Sequence, residues 1–146
     1  VAALTDPIYI EQAHWNQMLE HVSRLEPEEA CGLAAGKDRL ITRIYPVENV
    51  LHSPVSFRMQ PQQQVDALLE MDDAGCDLLV IYHSHPTGPP IPSPTDTAWA
   101  AYPDAVYLIW SKQNGSWSCR GFLIQEQGSV EVKEQILIVG VNRNHL

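Results

Sequence analysis

His83-Ser84-His85-Pro86, followed through a proline-rich loop by Ser93-Pro94-Thr95-Asp96, brings two imidazoles and a carboxylate into one short stretch. If His83 and His85 lie in extended backbone, their side chains share one side and Ser84 points away, because strand side chains alternate with period two. Two His and one Asp on one face can hold a zinc ion and leave the fourth tetrahedral position to water, which distinguishes a catalytic site from a closed structural one. Such a water has its pKa lowered to about 7. Hydrolysis of an amide then needs a carboxylate that accepts its proton and delivers it to the leaving amine. Glu26, Glu28, Glu29 and Glu70 are the candidates, and spacing alone does not choose among them.

The same residues also have a purely structural reading. Ser93 at an N-cap, Pro94 at the first helical position and Asp96 at the third approach a capping box, and two strand-end histidines are common enough alone. The combination carries the information: His-x-His ending a strand, a stiff loop, then an acid on a helix's first turn. On this reading Asp96 cannot fully serve both a cap and a metal.

The flanking chain supplies elements able to position that site. Asp77–Tyr82 is an apolar run of strand length, as expected of a central strand covered on both faces. Its C-terminal end, where the histidines sit, is the end at which sites collect in open α/β sheets. Earlier, Pro7–Ile10 is a short extended piece. From Glu11, Trp15, Met18, Leu19, Val22 and Leu25 recur at helical spacing until Pro27. His14 and His21 on that helix read as half-exposed, with nothing spaced to complete a site. Ala30–Ala35 reads as a buried strand closed by a turn at Gly36-Lys37-Asp38, and Arg39–Val47 as its hairpin partner. Asn49–Met59, broken by Pro54, is irregular. Pro61 opens a helix to about Ala74 that carries Val65, Leu68, Leu69 and Met71 inward, and Gly75 stops it. After the motif come a short helix to about Tyr102, a strand at Val106–Trp110, a Gln113-Asn114-Gly115 turn, and strands at Trp117–Gln125 and Val130–Val139. Residues Gly140–Leu146 read as a mobile tail, with 1–146 as a single domain and no repeat or linker.

Composition bounds the partners. At 146 residues, 45% hydrophobic and 18% charged, the chain can bury an ordinary core without disulfides. A formal charge of −9 and a pI near 4.9 argue against nucleic acid and anionic membranes. Cys31, Cys76 and Cys119 form no C-x-x-C pair, so they read as reduced thiols of a cytoplasmic protein. There is no apolar run of spanning length and no basic leader. The first helix has no distinctive exposed face, so no oligomeric state is predicted.

His83-Ser84-His85-Pro86, six residues, Ser93, two residues and Asp96 resembles the JAMM motif of MPN-type zinc metallopeptidases at every fixed position. Glu29-Ala30-Cys31-Gly32-Leu33 resembles the segment carrying that family's catalytic glutamate. Asn49, the stretch Ser53–Met59 with Pro61, and Tyr107–Ser111 are similar to small prokaryotic members, so the likeness covers nearly the whole chain. The resemblance implies an α/β fold with a mixed curved sheet flanked by helices, similar to the cytidine-deaminase-like fold. It implies one Zn²⁺ per chain on His83, His85 and Asp96, with Glu29 as general base and then acid. Ser93 would steady the carbonyl oxygen as charge develops. Substrates would be the C-terminal tails of ubiquitin-like modifiers or ThiS/MoaD-like sulfur carriers, freed from a lysine, an added amino acid or extra residues. Ala34-Ala35 and the first strands offer backbone for strand addition by such a tail.

Two alternatives share the motif. RadC-like proteins of DNA metabolism resemble His83–Asp96 too, including Gly88 and Pro92-Ser93. The acidic pI, the absence of a preceding DNA-binding module and the Glu29–Gly32 segment weigh against them. A non-catalytic MPN scaffold would have lost metal-binding residues, whereas this chain has them all. A cytidine deaminase would need H-x-E and P-C-x-x-C, which are absent.

Overall fold

The computed structural model describes residues 6–126, 130–135 and 137–140. In chain order the elements are β1 (Ile8–Ile10), α1 (Gln12–Arg24), β2 (Cys31–Lys37), β3 (Leu40–Val47), α2 (Pro61–Asp73), β4 (Asp77–His85), α3 (Pro94–Trp99), β5 (Val106–Gln113), β6 (Ser116–Glu126), β7 (Val130–Gln135) and β8 (Leu137–Val139). The strands form one mixed sheet in the order β7-β6-β5-β4-β2-β3-β1-β8. β4 lies parallel to β5 and antiparallel to β2. β7 and β8 occupy opposite ends of that order, yet a single residue separates them in sequence. The sheet must therefore curve until its two edges approach each other, almost closing a barrel.

Each face of the sheet is covered by one long helix. Met18, His21 and Val22 of α1 pack on the face carrying Ala34, Val80 and Tyr82. Ala67 and Met71 of α2 cover Leu33, Ala35 and Ile81. Strand alternation puts His83 on the α2 face with Ile81 and sends Ser84 to the other.

Several expectations are corrected. Val65 and Leu69 are exposed, because they stand about 200° around the helix from Ala67 and Met71, the residues that face the sheet. The first hairpin turns on Asp38 and Arg39, both at positive φ, while Gly36 stays in β2 at a bulge. A side chain at Gly36 would run into the Leu40 carbonyl, so glycine is required by the close approach rather than by a turn. Val130–Val139 is not one strand: its alternating first part pairs with β6 and its apolar last part with β1. β2 is hydrogen-bonded on both edges, to β3 and β4, so it has no open edge for an added strand. His21 is 5% exposed rather than half-exposed, and its Nδ1 shares a 2.7 Å hydrogen bond with the Tyr82 hydroxyl. Residues 141–146 of the expected tail lie outside the described residues. No helix among the described residues is long and apolar enough to cross a membrane.

Candidate active site and metal centre

The end of β4, the approach to β2 and the first turn of α3 converge on one point. The Nε2 atoms of His83 and His85 are 3.0 Å apart, and Oδ2 of Asp96 is 3.1 Å from each. Donors bonded at about 2.0–2.1 Å in tetrahedral geometry lie about 3.3 Å from one another, so this near-equilateral triangle has the size such an ion needs. Glu29, His83 and His85 also offer ligand atoms that lie within 4.8 Å of one another, and all three are buried. The three residues of the sequence motif and the upstream glutamate are thus brought together. Glu26, Glu28 and Glu70 are engaged elsewhere, with Lys112, His52 and Arg43.

Hydrogen bonding prepares the donors. His85 Nδ1 donates to the Pro89 carbonyl at 2.8 Å, so a neutral His85 keeps its proton there and turns a bare Nε2 lone pair to the centre. Nε2 of His83 faces that lone pair and the Asp96 oxygen, while its Nδ1 is buried with no hydrogen-bond partner among the described residues. Facing lone pairs repel unless a proton or a cation lies between them. The donor set therefore fits a divalent cation of the zinc type.

Asp96 does two things at once. Its Oδ2 accepts from the Ser93 backbone N–H at 2.8 Å, and the Ser93 Oγ accepts from the Asp96 N–H at 3.0 Å, which completes the capping box of α3. The oxygen in the cap is the one facing both imidazoles, and a carboxylate oxygen has two lone pairs. The expected conflict between capping and coordination is not present. The cap uses a lone pair of the Ser93 hydroxyl and leaves its proton free to donate into the cleft.

The two carboxylates are in opposite electrostatic states. Burial works against ionised Asp96, but its contacts with His83 and His85, hydrogen bonds whenever an imidazole Nε2 carries a proton, and the bond from the Ser93 N–H hold it well below the usual carboxylate range. Glu29, 4% exposed, has a buried Oε1 with no partner among the described residues. Its burial pushes its pKa up to about 8, with His85 pulling down and Asp96 adding to the rise. Burial lowers that of His83, whereas at His85 the bonds to Asp96 and Pro89 outweigh burial and raise it.

A cleft of about 300 Å³ opens over this centre, with Glu29, His85 and Ser93 at its base and Pro54, Val55, Ile91 and Pro92 in its walls. Val55 and Ile91 are 76% and 47% exposed, so both present apolar surface at the cleft.

The family described as prokaryotic homologs of the JAB domain matches residues 11–120. The chain belongs to that family. This JAB-domain chain is 42% identical over 88 residues to a desampylase of Haloferax volcanii, a match covering 58% of the chain and 63% of that protein's length, less than two thirds. It is 35% identical over 120 residues to a probable TtuB-protein conjugate cleaving protease of Thermus thermophilus, covering 82% of the chain and 77% of the relative. It is 38% identical over 102 residues to the CysO-cysteine peptidase of Mycobacterium tuberculosis, covering 68% and 69%. A Desulfitobacterium hafniense protein of known solution structure superimposes with a TM-score of 0.80 at 33% identity, covering 94% of this chain and 95% of its own. A JAB1/MPN domain protein from Archaeoglobus fulgidus, at 17% identity and TM-score 0.53, covering 89% and 98%, shares the fold.

Several residues support this JAB-domain site in roles that the sequence did not reveal. Ser84 is wholly buried; its Oγ accepts from the Ala30 N–H at 2.8 Å and its own N–H donates to the Ala30 carbonyl at 3.0 Å, which ties β4 to the residue beside Glu29. Ser111, also wholly buried, donates to the Gly88 carbonyl at 2.5 Å and so holds the loop that presents Pro89 to His85. Phe57 stacks on the His83 ring at 4.6 Å between centroids. The only sequence signal for them was proximity to the motif or likeness to the family, because each acts through a backbone atom or a ring face that spacing does not reveal.

Proposed function

We propose that this chain is a zinc-dependent peptidase that releases the C-terminal tail of a ubiquitin-like modifier or sulfur-carrier protein from an amide-linked group. The observation that carries the reading is the His83, His85 and Asp96 triangle with the buried Glu29 carboxylate beside it in an open cleft, its Oε1 without a partner among the described residues. His83, His85 and Asp96 would hold one zinc ion. Zinc in such a site supplies a Lewis acid and brings the pKa of water to about 7.

The remaining chemistry belongs to the chain. Glu29 accepts a proton from the attacking water and passes it to the leaving amine, so one water is added and the C–N bond breaks. A buried carboxylate with an Oε1 that no described residue engages is placed to hold the proton between the two transfers. The Ser93 hydroxyl donates to the carbonyl oxygen as negative charge develops. The cleft accepts an extended segment that is narrow at the scissile bond, and Val55 and Ile91 offer it apolar surface in the lining. The names of the relatives, which refer to TtuB conjugates and CysO-cysteine, support this substrate class. We read the whole chain as one domain of this type, and its three free thiols support a reducing, cytoplasmic setting.

Mass spectrometry of carrier-protein fusions incubated with the zinc-loaded protein tests the reading. The expected product is the carrier ending at its terminal glycines, formed by the wild type and not by Glu29→Gln. Cleavage that persists in Glu29→Gln removes Glu29 from the role of base.

A further inference from the structure

We propose that Asn49 is a positioning residue that fixes Glu29 and one wall of the cleft as a single rigid unit. The proposal rests on Glu29 being the base. Asn49 is 3% exposed and uses its full hydrogen-bonding capacity. Its Nδ2 donates to the Glu29 carbonyl at 2.9 Å and to the Ser56 carbonyl at 3.1 Å. Its Oδ1 accepts from the Leu51 and Arg58 N–H groups, both at 3.1 Å. The opposite amide orientation would turn donors against two N–H groups and oxygen against two carbonyls, so these partners define the orientation.

Those four bonds join parts that no regular element joins. The segment from Asn49 to Met59, closed by a β-bridge between its ends, folds around the Asn49 amide. It presents Pro54 and Val55 to the cleft and lays Phe57 on the His83 ring. The Glu29 N–H donates to the Ser53 carbonyl of the same segment at 2.8 Å. Glu29 is therefore held by its N–H through Ser53 and by its carbonyl through Asn49. The two bonds leave the backbone carrying its carboxylate little freedom to shift. Reacting groups must be held to within a fraction of an ångström, and a misplacement of about 1 Å can cost about a hundredfold in rate.

Asn49→Asp separates this role from loop folding. The aspartate keeps an oxygen for Leu51 and Arg58 but loses both donors and turns a carboxylate oxygen toward the Glu29 carbonyl. We expect the folded variant to bind one zinc per chain and to keep its Leu51 and Arg58 amides protected from hydrogen exchange. Its kcat should fall about tenfold or more on a carrier fusion, with KM changed less than threefold. Asn49→Ala, which also frees the wall, should raise KM as well. In the wild type, the Asn49 side-chain NH₂ should exchange at least about a hundredfold more slowly than that of exposed Asn114.

A folded, zinc-loaded Asn49→Asp with wild-type kcat overturns the proposal, as does fast exchange of the Asn49 amide. Wild-type cleavage that survives Glu29→Gln instead overturns the choice of base, so the two failures are distinguishable.

Discussion

Asp96 and Glu29 are carboxylates of one cleft with opposite surroundings. Asp96 takes a backbone N–H and two imidazoles onto one oxygen and is held far below its ordinary range. Glu29 has an Oε1 with no partner among the described residues and is pushed up to about 8 by burial. Environments that drive two titratable groups apart divide their work: the stabilised anion suits a cation, and the destabilised one suits proton transfer. The lesson is that local wiring, more than residue type, assigns the roles.

The comparison breaks most sharply if Asp96 is removed. Asp96→Ala should drop zinc from about one per chain to near zero by elemental analysis and abolish peptidase activity, since two imidazoles alone make a poor site. It should also destabilise α3, whose capping box it completes. Zinc retained in that variant would mean that Glu29 is a ligand and not a base, which inverts the assignment.

Glu29→Gln should be the next largest effect: full zinc content with kcat reduced about 10²–10⁴-fold. The metal-free protein supplies a second readout. Its folded-state pKa is raised from 4.5 to about 8, so the contribution of Glu29 to stability is present below the unfolded value and is lost as pH rises through the folded one. Metal-free Glu29→Gln should therefore gain on the wild type in urea denaturation as pH rises from about 5 to 8. Equal slopes for the two proteins would show that Glu29 is not in the unfavourable surroundings described above.

How much of this was legible in the sequence follows from how each part is held. His83, His85, Ser93 and Asp96 are placed by local rules, strand alternation and a capping box, so their convergence could be read from a single stretch. Glu29 was one of four acids until family resemblance singled it out, because its position depends on contacts with Ser53, Asn49 and, through Ala30, Ser84, all distant in sequence. Asn49 itself stood inside a segment read simply as irregular. Helical periodicity found α2 and turned Leu68 and Met71 to the sheet, but it added Val65 and Leu69 and missed Ala67, since Val65 and Leu69 outrank Ala67 in hydrophobicity while the close approach to the sheet admits the small residue. The division of Val130–Val139 between two sheet edges depends on curvature of the whole sheet, which no local pattern encodes.

Ser93 tests whether the cap and the proposed catalytic role are separable. Ser93→Ala should lose about 1 kcal/mol from the α3 cap and about a hundredfold in kcat. Ser93→Thr should restore both, because it keeps a cap acceptor and a hydroxyl proton. Ser93→Asp should restore the cap alone, measured as recovered thermal stability without recovered kcat. If Ser93→Asp recovers both, the hydroxyl proton has no part in the reaction and the cleft's anion-stabilising group lies elsewhere.

His21 extends the comparison to a group outside the cleft, and its effect should be the smallest. Burial, with Arg24 adding to it, lowers its pKa from 6.5 to about 4. The cause is the one that acts on Glu29, removal of an ionised form from water, but on a base it shifts the pKa the other way. The unfolded chain takes up a proton below about pH 6.5 while the folded chain stays neutral until about pH 4, so stability present at neutral pH drains away across that window. His21→Gln should lose less stability than the wild type between pH 7 and pH 5, by on the order of 1 kcal/mol once solvent screening is allowed for. Zinc content and kcat should not change, because His21 lies on the α1 face behind Tyr82. Urea denaturation of both proteins at the two pH values measures the difference. A variant that loses as much as the wild type would mean that His21 is already protonated in the fold, paired with Tyr82 as a donor, and that burial alone does not govern the shifted groups of this protein.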